Sequence, residues 1–297
     1  MQDISVIILT LNEERHIVRA IQNARKVAKA VFVVDSFSTD RTVELAQSHG
    51  ARVFQHEFVT HAQQLQWALD TLDIATEWVL KLDADEYMTD ELITEIEARL
   101  PMTAPTVTGY TMPCLRKFMG REIRHGIVPL ILLRLFRTGK ARIEAKLMDE
   151  HLYVTEGTVA SLQGAFYDDS LITLTEWTAK HNGYASREAI DLLCTEYGLN
   201  DFSQVHNTGA HAAKVRARKL KYARLPLFWR CFAFFIYRYF IRLGFLDGKE
   251  GFLWHFLQGW WYRTLADAKV YELKKACHWD ENKIMQEVNR RLDAMSR

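Results

Sequence analysis

The stretch Glu77-Trp-Val-Leu-Lys-Leu-Asp-Ala-Asp-Glu-Tyr87 constrains the fold more than any other. A mostly apolar run ending abruptly in Asp83, Asp85 and Glu86 reads as a central parallel strand, because such strands are covered on both faces. Its acids are then delivered to the C-terminal edge of the sheet, where open α/β sheets bind ligands. Two carboxylates spaced Asp-x-Asp on one side of the pleat can share a divalent cation, Mg2+ or Mn2+, and the diphosphate it neutralises. Read alone the motif is more often an acidic turn, so its context decides.

The preceding chain supplies that context. Ile4 to Leu9 reads as a first buried strand, and Thr10-Leu-Asn-Glu13 has capping-box spacing before a helical run from Glu14 to Val27. Ala30 to Asp35 is a second apolar strand ending in an acid, followed by hydroxyls and Asp40 that suit a helix start. Asp35 can accept hydrogen bonds from a pyrimidine N–H or a ribose hydroxyl, and a helix-capping role stays equally open. A short strand over Ala51 to Phe54 and a helix over His61 to Leu72 follow. This alternation predicts right-handed crossovers and a mostly parallel sheet, with Thr10, Asp35 and Asp83 to Asp85 converging on one edge.

Three segments in this order, Ser5-Val-Ile-Ile-Leu-Thr-Leu-Asn-Glu13, Val33-Val-Asp-Ser-Phe-Ser-Thr-Asp-Arg-Thr42 and Leu80-Lys-Leu-Asp-Ala-Asp-Glu86, resemble the signatures of family 2 glycosyltransferases. Later segments resemble the bacterial lipopolysaccharide-core beta-glucosyltransferases within that family. The resemblance implies a GT-A (Rossmann-like) α/β fold, with a mostly parallel sheet and helices on both faces. It also implies that Thr10 and Glu13 line the nucleotide pocket, Asp35 holds the base, Asp83 contacts the nucleotide-sugar and Asp85 binds the metal. Phe37 departs from the pattern by standing where many relatives have glycine.

Inverting sugar transfer needs a base at the acceptor hydroxyl, while the metal stabilises the departing charge. Lys146-Leu-Met-Asp-Glu-His-Leu152 gathers Asp149, Glu150 and His151. In the resembling family an acid from this part of the chain serves as base, and Glu150 is preferred here with Asp149 as the alternative. Broken alternation from Thr106 to Arg137 predicts antiparallel strands and loops, made basic by Arg116, Lys117, Arg121, Arg124 and His125. That basic segment is either a solvated loop or a contact for donor phosphates or an anionic acceptor.

Composition shifts in the last third. The basic run Lys214 to Arg224 precedes an aromatic, apolar run from Leu225 to Leu246 that carries Arg230, Arg238 and Arg242. Its uncharged core, Cys231 to Tyr237, is far below the roughly 20 residues that span a bilayer. The expectation is a surface-lying, membrane-associating helical appendage with those arginines at lipid phosphates, against the alternatives of an oligomer interface or a buried core helix. The predicted domains are thus 1–205, binding the nucleotide-sugar and catalysing, and 206–297, helical.

A net charge of +1 gives no global attraction to nucleic acid. The four cysteines lack paired spacing, and the N-terminal stretch does not read as a signal peptide, so a cytoplasmic location is expected. Taken together these readings describe a peripheral enzyme on the inner face of the cytoplasmic membrane. It would move a sugar, glucose from a UDP-sugar donor being favoured, to a lipid-linked glycan acceptor such as lipopolysaccharide core; an oligomer is compatible with this. The competing readings are transfer to a polyprenyl phosphate or a polyprenyl-pyrophosphate glycan, and a non-catalytic nucleotide-sugar scaffold on the same fold.

Overall fold

The computed structural model describes residues 2–127, 130–144, 151–199 and 221–295. These fall into two compact units, one of residues 2–120, 130–144 and 151–171, the other of residues 121–127, 172–199 and 221–295.

In the first unit, strands β1 (Ile4–Thr10), β2 (Ala30–Asp35), β3 (Arg52–Gln55) and β4 (Trp78–Asp83) alternate with helices α1 (Ile17–Ala24), α2 (Thr42–Ser48) and α3 (His61–Thr71). After β5 (Glu86–Met88) comes α4 (Asp90–Arg99), capped by the Thr89 hydroxyl, which accepts from the Leu92 N–H at 3.2 Å. Strand β6 (Val107–Phe118) precedes β7 (Arg121–Ile123), which belongs to the second unit. Strands β8 (Leu130–Arg137), β9 (Ala141–Ile143), β10 (Leu152–Val154), β11 (Thr158–Ser161) and β12 (Phe166–Asp169) complete the first.

The sheet runs β3-β2-β1-β4-β8-β6-β12-β5, and β9 pairs with β10 separately. Its first four strands are all parallel, as the strand–helix alternation demands; β8 then enters antiparallel between β4 and β6. The expected α/β sheet is therefore present. Pleating sorts the core onto two faces. Ile4, Val6 and Ile8 of β1 pack with Ile17 and Ile21 of α1, Ala46 of α2 and Leu92 and Ile96 of α4. Ile7 and Leu9 point the other way, into Ala62, Leu65 and Ala68 of α3.

One local expectation fails. Thr10 and Glu13 do not form a capping box: α1 starts only at Ile17, with no side-chain cap. The Thr10 hydroxyl is drawn instead to Asp35 across the strand pair, at 3.1 Å. The Glu13 N–H that a cap would satisfy goes to the Thr42 hydroxyl instead, at 2.7 Å, so tertiary partners have replaced the local ones.

The second unit is helical. Helix α5 (Leu174–Glu196) opens with a complete capping box of Thr173 and Glu176. Helix α6 (Trp229–Ile236) passes into a π-helical stretch, Tyr237–Ile241, and α7 (Gly248–Trp254) into another, His255–Trp261. Helices α8 (Tyr262–Ala276) and α9 (Glu281–Met295) follow. Lys269 and Lys274 of α8 tie to Ser186 and Glu196 of α5 at 2.7 and 2.6 Å. Among the described residues no helix is long and apolar enough to cross a membrane.

Candidate active site

Strand register assembles the site. Thr10 pairs with Asp35 and Leu9 with Asp83 in the parallel ladders on either side of β1. With strands about 4.8 Å apart, Asp35, Thr10 and Asp83 come to one C-terminal edge. Chain order reverses there, because β2 and β3 lie on one side of β1 and β4 on the other. Such switch points open the crevice where α/β sheets take ligands.

Asp35 is fully buried. Its carboxylate accepts from the Thr10 hydroxyl at 3.1 Å, the Ser38 N–H at 2.9 Å, the Ser38 hydroxyl at 2.5 Å and Gln55 Nε2 at 3.3 Å. These bonds nearly fill the acceptor capacity of a carboxylate. To wrap Ser38 around Asp35 the turn takes Phe37 to a φ of 60°, the left-handed conformation that favours glycine. The glycine-like position noted in the sequence is thus real, and Phe37 occupies it at a cost of about 1–2 kcal/mol. Glu13 lies close by, with its N–H on the Thr42 hydroxyl at 2.7 Å and its carboxylate 2.5 Å from His16 Nδ1.

Asp83 and Asp85 do not continue one pleat. Strand β4 ends at Asp83, and Ala84 and Asp85 form a turn into β5, so the same-face argument from an extended strand does not apply. Beneath the turn lies a cluster of charges. Lys81 Nζ, almost wholly buried, donates to Asp83 Oδ1 at 2.6 Å; His61 Nε2 lies 3.3 Å from that oxygen, and Arg134 Nη2 reaches Oδ2 at 3.3 Å and Glu86 Oε1 at 2.6 Å. Burial alone would raise the Asp83 carboxyl, but Lys81, His61 and Arg134 hold it well below the usual carboxylate range. The turn itself is clamped through its backbone. The Asp85 carbonyl accepts from the Asp169 N–H at 3.1 Å and Arg19 Nη2 at 3.2 Å, and Arg19 Nη1 pairs with Asp169 at 2.9 Å. The half-exposed Asp85 side chain lies in the field of Arg116, and it supplies hard oxygen donors of the kind Mg2+ and Mn2+ take.

Glu86 behaves differently from its neighbours. Burial pushes its carboxyl up to about 7, against the pull of Arg134 and with Asp83 adding to the rise. A carboxyl raised above its unfolded value stabilises the fold at low pH, and that stabilisation disappears as pH climbs through the folded value. Asp83, shifted the other way, contributes only above its ordinary range and loses that contribution only in acid. Glu86→Gln is therefore expected to remove a fall in stability on the order of 3 kcal/mol between about pH 4.5 and 7. Melting temperatures of parent and variant across that range would test it, and curves falling in parallel would refute it.

Thr10, Asp35 and Asp83 are thus brought together, with Glu13 and Asp85 on adjoining turns. Asp149 and Glu150, the two candidate bases, lie outside the described residues. Sequence reasoning missed Lys81, Arg134, Gln55, Arg19 and Asp169. Lys81 was discoverable, standing two residues before Asp83 on the same strand face. Arg134 and Asp169 reach the site only through pairing of distant strands.

Several known proteins are similar to this chain. Residues 5–138 match the family model described as glycosyl transferase family 2. An uncharacterized glycosyltransferase of Rickettsia typhi is 28% identical, over 92% of this chain and 88% of its own. The lipopolysaccharide core biosynthesis glycosyltransferase LpsC of Rhizobium meliloti is 28% identical, over 63% of this chain and 70% of its own. Among solved structures, the glucosyl-3-phosphoglycerate synthase of Mycobacterium tuberculosis superposes at a TM-score of 0.32, with 23% identity over 37% of this chain and 43% of that one. A parallel sheet bearing acids at its switch point defines an α/β protein with a ligand crevice at that edge. More particularly, residues 5–138 carry a glycosyl transferase family 2 domain.

Proposed function

We propose that the protein transfers a sugar, glucose from UDP-glucose in the favoured case, to a lipid-linked bacterial glycan such as lipopolysaccharide core, with inversion and with help from Mg2+ or Mn2+. The observation that carries this reading is the register placing Thr10, Asp35 and Asp83 at one sheet edge. The acceptor class is supported by the similarity to LpsC.

In this reading Asp35 takes the nucleobase, a pyrimidine N–H replacing Gln55, whose contact at 3.3 Å is the longest to that carboxylate. Thr10 and Glu13 line the nucleotide pocket, and Asp83, held ionised by Lys81, contacts the nucleotide-sugar. Asp85 holds the cation. Among the described residues no three His, Cys, Asp or Glu side chains converge as a metal cluster, so the donor's own phosphate oxygens would complete its coordination. Bound there, the metal neutralises charge on the leaving diphosphate. Glu150, or Asp149 beside it, takes the acceptor proton as the acceptor oxygen bonds to the anomeric carbon and the bond to diphosphate breaks. Work at the inner face of the cytoplasmic membrane follows from such an acceptor.

A screen of nucleotide-sugars scored by released nucleotide, with membrane extract as acceptor, tests the proposal. Release of UDP from UDP-glucose that depends on both extract and added Mg2+ or Mn2+ is expected. Release from none of the donors would overturn it.

A further inference from the structure

The second unit is turned inside out along the aromatic segment. Arg230 and Arg238, expected from the sequence to meet lipid phosphates, are buried. Arg230 pairs with Asp267, while Arg238 donates to the Gly126 carbonyl at 2.9 Å and to Gln258 at 2.5 Å. Large apolar side chains face outward instead: Trp229 is 73% exposed and Ile241 67%. Exposed apolar groups cluster most densely at the turn after the first π-helical stretch, where Ile241, Leu243, Phe245 and Leu246 all stand out. A soluble surface rarely gathers so many exposed apolar side chains in one short turn without a use for them.

The turn is also rigidly built, and the exposed charges flanking it in sequence are cations. Asp247, nearly fully buried, accepts from the Arg124 N–H at 3.0 Å, the His125 N–H at 2.8 Å and His125 Nδ1 at 2.7 Å, and the Gly126 N–H donates to the Arg242 carbonyl at 2.9 Å. The basic segment beginning at Arg121, 123 residues away between Arg124 and Asp247, is thereby fixed against the apolar turn. Leu243 sits at a φ of 59°, a strain that the surrounding bonds must hold in place. Between Lys221 and Lys249 every exposed charge is positive: Lys221, Arg224, Arg242 and Lys249. The nearby acids Glu122 and Glu250 are only partly exposed and pair with Arg124 and Arg121.

We infer that the turn Ile241 to Leu246 inserts into a bilayer containing anionic phospholipid, its apolar side chains among the acyl chains and Arg242 and Lys249 at the phosphates. This rests on the membrane location given above and names the surface that achieves it. A second copy of the chain would bring the same cations to the interface, whereas an anionic bilayer brings the complementary charge.

The test uses the full chain, sedimented with phosphatidylcholine vesicles and with vesicles that also contain phosphatidylglycerol. Binding to the anionic vesicles that weakens with salt is expected. Ile241→Asp with Leu246→Asp should weaken it about tenfold or more, from the lost burial of two apolar side chains. Arg242→Glu with Lys249→Glu should erase the preference for phosphatidylglycerol. Donor hydrolysis stays at the parental level in both variants, so failure at the membrane and failure of the sugar-transfer reading register separately. Parental vesicle binding by both variants would overturn the inference. So would a parent chain that ignores anionic vesicles and instead sediments as a dimer that the Ile241 and Leu246 changes dissociate.

Discussion

Asp85→Ala is expected to lower metal-dependent sugar transfer about a thousandfold or more while leaving the melting temperature close to that of the parent. The size follows from losing a cation that stabilises charge on the leaving diphosphate by several kcal/mol, each 1.4 kcal/mol being about tenfold in rate. The fold survives because the backbone of this turn is held through the Asp85 carbonyl, by the Asp169 N–H and Arg19, and alanine keeps that carbonyl, while Arg116, which also feels the Asp85 charge, keeps its ion pair with Asp168 at 2.7 Å. Asp83→Ala is a poorer experiment. It would strip buried Lys81 of its 2.6 Å partner, so lost activity could be lost folding. Nucleotide release titrated with Mn2+, beside a thermal melt, makes the comparison, and normal turnover by the Asp85 variant would remove the metal role.

The parallel half of the sheet was legible because each strand announces itself twice, as a mostly apolar run and as a polar residue at its end. β1, β2 and β4 all do so, and their common edge follows from right-handed crossovers alone. Less legible was anything set by partners far along the chain. Thr10 and Glu13 have the spacing of a cap, but spacing cannot register that the Thr10 hydroxyl donates to Asp35 on the next strand while the Glu13 N–H finds Thr42. Arg134 enters the site because β8 runs antiparallel beside β4, a pairing that no local pattern in either strand encodes. The aromatic segment shows the same limit in reverse. Its composition suggested an apolar face with arginines outside, yet Arg230 and Arg238 point inward, since their partners Asp267 and Gly126 come from other segments.

That inward pairing makes Asp267→Ala the substitution with the largest expected cost to stability, about 3–5 kcal/mol, the usual penalty for leaving one member of a buried ion pair alone. Asp267 is 1% exposed. It accepts from Arg230, from the Phe228 N–H at 2.7 Å and from Cys231 Sγ at 3.1 Å, so its removal strands a buried guanidinium and an orphaned backbone donor together. A domain with a typical 5–15 kcal/mol of stability would lose a large share of it. Replacing both members, as in Asp267→Leu with Arg230→Met, should recover most of the loss, because the desolvation of the two charges disappears along with their attraction. Urea unfolding followed by tryptophan fluorescence suits the comparison, since Trp177, Trp229, Trp254, Trp260, Trp261 and Trp279 all lie in this unit. A double variant as unstable as the single one would mean that the site requires the charges themselves. A single variant within about 1 kcal/mol of the parent, the scale of an exposed pair, would mean that the pair does not hold α6 to α8. If the costs fall as expected, the arginine is confined to the interior by its carboxylate, and the outer surface of α6 is left to its aromatic side chains.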